Sequence, residues 1–191
     1  VPQNELTPFH PRSPYGVAKT FAHYTAVNYR EAYGMHVSSG ILFNHEGEYR
    51  GHEFVTRKIS HHVAMIKCGL IQDFSLGDLS PKRDWGYAGD YVVAMHAMLQ
   101  NPLGDDFVIA TGETHSVREF VQLALDIAEL RDPLETYVKF DQEMLRPSEV
   151  DLLVGDPGKA LRHLGWQATT SFEDLVRIMV ENDLNLVKKA N

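Results

Sequence analysis

The stretch Ser13-Pro14-Tyr15-Gly16-Val17-Ala18-Lys19 opens the first long helical segment and places a phenol four residues before an ammonium group. Ser13 suits a helix N-cap and Pro14 the first helical position, so we expect a helix that runs to about Tyr33 and stops at Gly34. Residues four apart share one helix face, and a cation beside a tyrosine favours the phenolate. The spacing is consistent with an acid–base pair, although a solvated helix face produces it by chance.

The composition is that of an ordinary globular protein: 191 residues, 43 % hydrophobic and 23 % charged. This length suits one domain, or one domain with a small lobe. A net charge of −8 argues against a general nucleic-acid surface. The sequence contains no run of about eighteen apolar residues, so it predicts no membrane span. Cys68 is the single cysteine, which fits a reducing compartment and therefore a cytoplasmic location. We interpret the opening Val1-Pro2-Gln3 as that of a fragment or processed chain.

Apolar periodicity and chain breakers predict helices that alternate with short strands. The expected helices lie at 54–67, 89–100, 116–130, 159–164 and from 171 onward; the expected strands lie at 36–43, 73–76, 107–110 and 137–140. Polar loops are expected at 44–51, 77–85 and 141–151. This alternation predicts an α/β fold with parallel strands. A glycine-rich dinucleotide-binding turn after a first strand does not occur in the sequence.

Four polar clusters fall near predicted strand ends, where open α/β sheets bind ligands. They are Tyr15/Lys19, Asn44-His45-Glu46 with Arg50, Arg83-Asp84-Trp85, and Arg146-Pro147-Ser148-Glu149. Arginines from separate clusters, with Lys58 between them, suit a diphosphate. The last three clusters, like Tyr15/Lys19, have simpler explanations. Arg83 and Asp84 can form a surface ion pair, Arg146-Pro147 can be part of an ordinary loop, and His45 can be held by local hydrogen bonds.

Metal binding and serine hydrolysis are poorly supported. His61 and His62 are neighbours on a predicted helix and point in different directions, so we assign them, with Arg57 and Lys58, to a solvated face. No Gly-x-Ser-x-Gly elbow occurs. We therefore expect no metal site.

Several runs resemble one family when taken together with 13–19. They are Gly40-Ile41-Leu42-Phe43-Asn44-His45-Glu46, Phe54-Val55-Thr56-Arg57-Lys58-Ile59-Ser60, Lys82-Arg83-Asp84-Trp85-Gly86, and the segments 107–112 and 116–121. From about residue 6 to 187, the chain resembles the GDP-mannose 4,6-dehydratases, which are extended short-chain dehydrogenases/reductases. The resemblance implies an α/β fold: an incomplete doubly wound, Rossmann-like parallel sheet at roughly 1–45 and 88–112. A small α/β substrate-binding lobe at roughly 46–87 and 113–191 is interleaved with it.

The resemblance also implies a function, that of a lyase that converts GDP-mannose to GDP-4-keto-6-deoxymannose and water with NADP as cofactor. Tyr15 is then the catalytic base for the sugar 4-hydroxyl, and Lys19 holds the nicotinamide ribose. The implied cofactor contacts are Tyr15, Lys19, Leu42, Asn44, His45 and Arg50. The implied contacts to the GDP part of the substrate are Asn44, Lys58, Arg83, Arg146 and Glu149.

The resemblance leaves several family features outside the chain. The glycine turn, the Ser/Thr that polarises the 4-hydroxyl and the Glu that removes the C5 proton all belong to the family's amino-terminal half. We therefore expect an uncovered apolar face, activity only when that half is joined, and a homodimer or homotetramer. Leu145 stands where the family has an aromatic residue. Three alternatives remain: another nucleotide-sugar dehydratase or epimerase, a non-catalytic nucleotide-sugar-binding module, and an inactive fragment.

Overall fold

The computed structural model describes residues 2–144 and 152–190. Its elements, in chain order, are α1 (Pro14–Tyr33), β1 (Ser39–Leu42), β2 (Asn44–Glu46), α2 (Val55–Lys67), β3 (Phe74–Leu76), β4 (Lys82–Arg83), β5 (Trp85–Tyr87), α3 (Ala88–Gln100), β6 (Asp106–Ile109), β7 (His115–Ser116), α4 (Val117–Ile127), α5 (Leu134–Tyr137), β8 (Val138–Phe140), α6 (Gly158–Leu164) and α7 (Phe172–Ala190). Within these described ranges, no helix combines the length and the apolar character that crossing a membrane requires.

The predicted helix ends are confirmed where local chemistry sets them. Ser13 caps α1 by accepting a hydrogen bond from the Gly16 N–H at 3.1 Å, and Gly34 ends the helix with a positive φ of 62°. Ser116 and Glu119 form the expected capping box at the start of α4. These signals depend on neighbouring residues, so the sequence alone is enough to find them.

The described strands form four pairs, of which three are parallel: β1 with β6, β2 with β5, and β3 with β8. The parallel prediction is therefore confirmed for those pairs, whereas β4 and β7 run antiparallel. The loop predictions for 44–51 and 77–85 are wrong at 44–46, 82–83 and 85, which belong to β2, β4 and β5. These strands have two or three residues, and their partners lie far away in sequence, so no local pattern marks them.

Buried apolar side chains form two clusters. The larger one packs α2, α4 and α7 against β3, β5 and β8, with Ile59, Phe120 and Leu175 fully buried. The smaller one joins α3, β6 and α6 through Tyr91 and Phe107, among others. The cavity described below lies along the larger cluster.

Helix α1 differs from the other long helices because none of its residues is buried. Arg30 anchors it by donating two hydrogen bonds of 3.0 Å to the Asp106 carboxylate on β6. Its aromatic side chains face outward, including Phe21 at 75 % exposure and Tyr33 at 70 %. The expected uncovered apolar face is thus confirmed on α1.

Candidate functional site

A cavity of about 480 Å³ lies between β2, the start of α2 and the β3–β5 region, a volume in the range of small-molecule sites. Its lining includes Asn44, Arg50, Lys58 and Arg83, four residues that the sequence analysis assigned to ligand binding. The fold therefore brings together polar groups that are separate in sequence. Three of them are cations, which suit an anionic ligand, and the described lining also contains the carboxyl groups of Glu46, Glu53 and Asp78.

The start of α2 adds a further positive element to this cavity. Phe54, Val55 and Thr56 line it, and the first turn of α2 contains no acidic residue. The N–H groups at a helix N-terminus lack partners within the helix and favour anions. Lys58 lies one turn further, with its Nζ 3.2 Å from the Met144 sulfur at the cavity wall.

Arg50 is held at the cavity wall by two contacts to its side chain. Its Nε lies 3.0 Å from an oxygen of Glu46, and its guanidinium stacks 3.4 Å from the Phe54 ring centroid. Glu46 is almost fully buried and accepts a 2.6 Å hydrogen bond from the Thr56 hydroxyl. Burial raises the pKa of Glu46, while the contacts from Thr56 and Arg50 act in the opposite direction.

Arg83 and Asp84 are adjacent but have separate roles. Arg83 lines the cavity, whereas Asp84 is fully buried away from solvent. The Asp84 carboxylate accepts hydrogen bonds from the Thr111 N–H and hydroxyl and from the Gly112 and Gly155 N–H groups. The surface ion-pair explanation is therefore wrong for Asp84. Its carboxylate joins the Arg83 strand to the turn after β6.

The predicted solvated face of α2 is wrong for Arg57, which is only 5 % exposed and pairs with the fully buried Asp183. His61 and His62 are half-buried, and the His62 ring stacks on Phe74. Across the two described ranges, no group of three or more His, Cys, Asp or Glu residues is arranged to hold a metal. The sequence does contain a signal for the Arg57–Asp183 pair, because Asp183 interrupts the apolar stripe of the last helix.

Tyr15 and Lys19 lie on α1, with the Lys19 Nζ 5.5 Å from the Tyr15 ring centroid. Both are exposed, Tyr15 at 72 %, and neither is among the described residues that line the cavity. The structure therefore confirms that they are neighbours but does not place them in the cavity. Their roles remain predictions.

The other predicted cofactor contacts are Leu42 and His45. Leu42 ends β1, and His45 on β2 is half-buried. The His45 Nδ1 lies 2.9 Å from the Phe43 carbonyl oxygen, which is the local hydrogen bonding that the simpler explanation expects. Arg146 and Glu149 fall outside the described residues, as does Leu145.

A second cavity of about 600 Å³ lies on the far side of the β3–β4 connection and shares Leu76, Gly77 and Asp78 with the first. Its described lining contains Arg118, Glu135 and Lys139 but not the four predicted ligand-binding residues. Arg118 and Glu135 pair with each other at 3.2 Å. The smaller cavity is therefore the better candidate site, because its cations converge with a helix N-terminus.

Comparison with known sequences identifies close relatives. A sequence profile described as GDP-mannose 4,6 dehydratase matches residues 1–179. The chain is 51 % identical to the GDP-mannose 4,6 dehydratase of Dictyostelium discoideum, with 100 % of this chain and 58 % of that protein covered. It is 48 % identical to the Homo sapiens protein of the same name, with 98 % and 55 % covered. The chain spans about half the length of the curated relatives it matches.

Solved structures share the fold. The chain superposes on RMD from Pseudomonas aeruginosa, complexed with NADPH, with a TM-score of 0.86 and 23 % identity over 97 % of this chain and 60 % of that one. It superposes on the UDP-glucose 4-epimerase of Thermus thermophilus, complexed with NAD, with a TM-score of 0.81 and 27 % identity over 96 % and 58 %. The predicted fold class, a Rossmann-like α/β fold with parallel strands, is confirmed. From the profile match and these sequence identities, the chain belongs to the GDP-mannose 4,6-dehydratase family.

Proposed function

We propose that the chain is the carboxy-terminal part of an NADP-dependent GDP-mannose 4,6-dehydratase, a cytoplasmic lyase. The observation that carries this proposal is the convergence of Asn44, Arg50, Lys58 and Arg83 on one cavity. The Arg83 guanidinium and the Lys58 ammonium group suit the diphosphate of GDP-mannose, whereas the Arg50 guanidinium is assigned to NADP. The N-terminus of α2 supplies further N–H donors. We assign Arg146 and Glu149 to the same substrate site from the family resemblance.

The residues present also suit a pyridine nucleotide. Tyr15 and Lys19 offer a phenol and an ammonium group on one exposed helix face, a donor set suited to ribose hydroxyls. Arg50 offers a guanidinium for a phosphate, and Leu42, Asn44 and His45 complete the proposed contacts. NADP, when bound, supplies the hydride acceptor for oxidation at C4 of the sugar.

In the proposed reaction, Tyr15 takes the proton of the sugar 4-hydroxyl as C4 is oxidised. Lys19 places an ammonium group beside the phenol, with its Nζ 5.5 Å from the Tyr15 ring centroid. The C4 ketone acidifies the proton at C5, so water can then leave across C5 and C6. Return of the hydride to C6 and of a proton to C5 then gives the 4-keto-6-deoxy sugar, so that no net oxidation occurs. We assign the residue that removes the C5 proton, and the residue that polarises the 4-hydroxyl, to the amino-terminal part of the longer relatives.

The same proposal includes two partners. The exposed aromatic face of α1 supports contact with an amino-terminal part of the enzyme and with a second copy in a homodimer or homotetramer. The division into a Rossmann remainder at 1–45 and 88–112 and a substrate lobe at 46–87 and 113–191 is also proposed. The separate apolar clusters support it for most of the chain, except that α6 and Trp166, which lie in the range of the lobe, pack with α3 and β6.

Two measurements test the function. The first is calorimetry of GDP binding to the 191-residue chain, with UDP and dTDP as competitors. We expect preference for GDP and a loss of roughly tenfold or more in affinity in Arg83→Ala, because a charge-assisted hydrogen bond contributes about 1.5–3 kcal/mol. Lys82→Ala is the matched control, since Lys82 is exposed beside Arg83. Preference for UDP or dTDP would indicate another nucleotide-sugar enzyme.

The second measurement uses a completed chain, in which these residues are joined to the amino-terminal part of the Dictyostelium discoideum relative. We expect it to release 4-keto sugar from GDP-mannose with NADP, and the 191-residue chain not to do so. A completed chain that is folded and binds GDP yet releases no keto sugar would support the non-catalytic alternative. Rapid turnover by the shorter chain would contradict the need for the amino-terminal part.

A further inference from the structure

A buried ionic network connects α7 to the loop that carries Arg50. Arg57 and Asp183 are almost completely inaccessible to solvent, with the Arg57 Nη2 2.8 Å from an oxygen of Asp183. The Ser60 hydroxyl donates a 2.6 Å hydrogen bond to the other carboxylate oxygen. A buried charge is tolerated when it is paired and hydrogen-bonded, and the carboxylate meets both conditions.

The opposite side of the Arg57 guanidinium faces the chain between β2 and α2. Its Nη1 donates hydrogen bonds to the carbonyl oxygens of Glu48 and Arg50, the latter at 3.3 Å. Asn182, which precedes Asp183, also lies within 3.5 Å of the Glu48 carbonyl through its amide nitrogen. The main chain at Arg50 is therefore tied to α7 through Arg57.

The stability of α2 alone does not account for this arginine. A cation in the first turn opposes the helix dipole, and Arg57 is the third residue of α2. Its planar fork contacts Asp183 through one nitrogen and the loop carbonyls through another, whereas an ammonium group has all three of its donors on one nitrogen. Arg57 therefore connects α7 to the loop between β2 and α2.

Arg50 is thereby held at both ends. Glu46 and Phe54 hold its guanidinium, and Arg57 holds its carbonyl. We propose that Arg57 and Asp183 are positioning residues, which contact no ligand and set the place of Arg50 at the cavity wall. This inference rests on the proposed function only in giving Arg50 a nucleotide ligand.

The placement of the loop is testable without ligand, by amide hydrogen exchange of residues 47–51 in the 191-residue chain. We expect Arg57→Lys to speed that exchange at least tenfold, because lysine keeps the charge but loses the fork. Ser60→Ala is the matched control, since the Ser60 hydroxyl donates to the same carboxylate and to the Arg57 carbonyl rather than to the loop. Asp183→Asn, which leaves Arg57 without its counter-charge, serves as a second variant and should act in the same direction.

The consequence for binding is measured as NADP affinity of the completed chain. We expect Arg57→Lys and Arg50→Ala each to weaken NADP binding at least tenfold, and the double variant to be no weaker than Arg50→Ala alone. Losses that multiply in the double variant, or loop exchange equal to that of Ser60→Ala, would overturn the positioning role. Faster loop exchange in a completed chain that makes no keto sugar would refute the proposed function and leave the placement of Arg50 standing.

Discussion

The Asp84 carboxylate accepts two hydrogen bonds from Thr111, one from its backbone N–H at 2.8 Å and one from its hydroxyl at 2.7 Å. Thr111 lies just after β6, so this contact joins the end of a strand in the smaller apolar cluster to the segment that carries Arg83. Arg83 therefore faces the cavity, and its neighbour Asp84 fixes the distance between that cavity and the parallel strands. The two adjacent side chains can accordingly be separated by experiment.

Asp84→Ala should lower the free energy of unfolding by roughly 3–4 kcal/mol, because several buried donors lose their acceptor. Chemical denaturation measures the change. Asp126→Asn is a suitable control, since Asp126 is exposed and accepts a 3.1 Å hydrogen bond from the Gln122 amide. A loss below about 1 kcal/mol would show that ordered water replaces the carboxylate.

Tyr15→Phe should reduce turnover of the completed chain by roughly 10²–10⁴-fold, since it removes a group proposed to transfer a proton. GDP affinity should stay unchanged, because Tyr15 is not among the described residues that line the cavity. Tyr33→Phe, on the same helix and similarly exposed, should have full activity. Steady-state assays and GDP calorimetry check both points, and unchanged turnover in Tyr15→Phe would exclude it as the base.

Glu46 gives a pH dependence of definite sign. Because burial raises its pKa above the usual 4.5, the folded state holds this proton more tightly than the unfolded state does. The resulting contribution to stability is present below pH 4.5 and is lost as pH rises through the folded pKa. Glu46→Gln does not titrate, so its unfolding free energy relative to the parent should increase with pH across that window.

A control for Glu46 is available in the capping box. Hydrogen bonds from Ser116 lower the pKa of Glu119, so its contribution to stability is lost as pH falls. Glu119→Gln should therefore differ from the parent most at neutral pH and least in acid. Calorimetry measures the unfolding free energy of each variant relative to the parent. If this difference fell with rising pH for Glu46→Gln, as we expect for Glu119→Gln, the raised pKa of Glu46 would be wrong.

Arg30→Ala should loosen α1 without unfolding the remainder of the 191-residue chain. No residue of α1 is buried, so the pair of hydrogen bonds to Asp106 is a major anchor. We expect amide exchange in α1 to accelerate roughly tenfold or more, which corresponds to the loss of a charge-assisted pair. Arg177→Ala, which breaks an exposed pair on α7, should leave α1 unchanged. Equal exchange in both variants would contradict the anchoring role.

Local signals predicted much of the fold. Ser13, Gly34 and the Ser116–Glu119 box determine helix ends through their immediate neighbours, and all are confirmed. The pairing of β2 with β5 was not predictable, because its residues are polar and its partner lies across α2.

The candidate site was predicted only in part, because some of its contacts join residues that are far apart in sequence. Asn44 and Arg83 could be identified as ligand-binding candidates because they lie near strand ends, and Lys58 because the family resemblance implies it. The burial of Arg57 depends on α7 packing against α2, which the charge pattern of α2 alone does not reveal. An acidic residue at a stripe position of α7 was the available sign that a buried cation faces it.

The connection between α2 and α7 has a consequence for biosynthesis. The ribosome makes Arg57 long before it makes Asp183, and contacts between distant residues form late in folding. Until α7 emerges, the nascent chain carries an unpaired cation that has no reason to enter an apolar core. We therefore expect nucleotide affinity to appear abruptly in stalled nascent chains once α7 has left the exit tunnel, after the first strand pairs have formed.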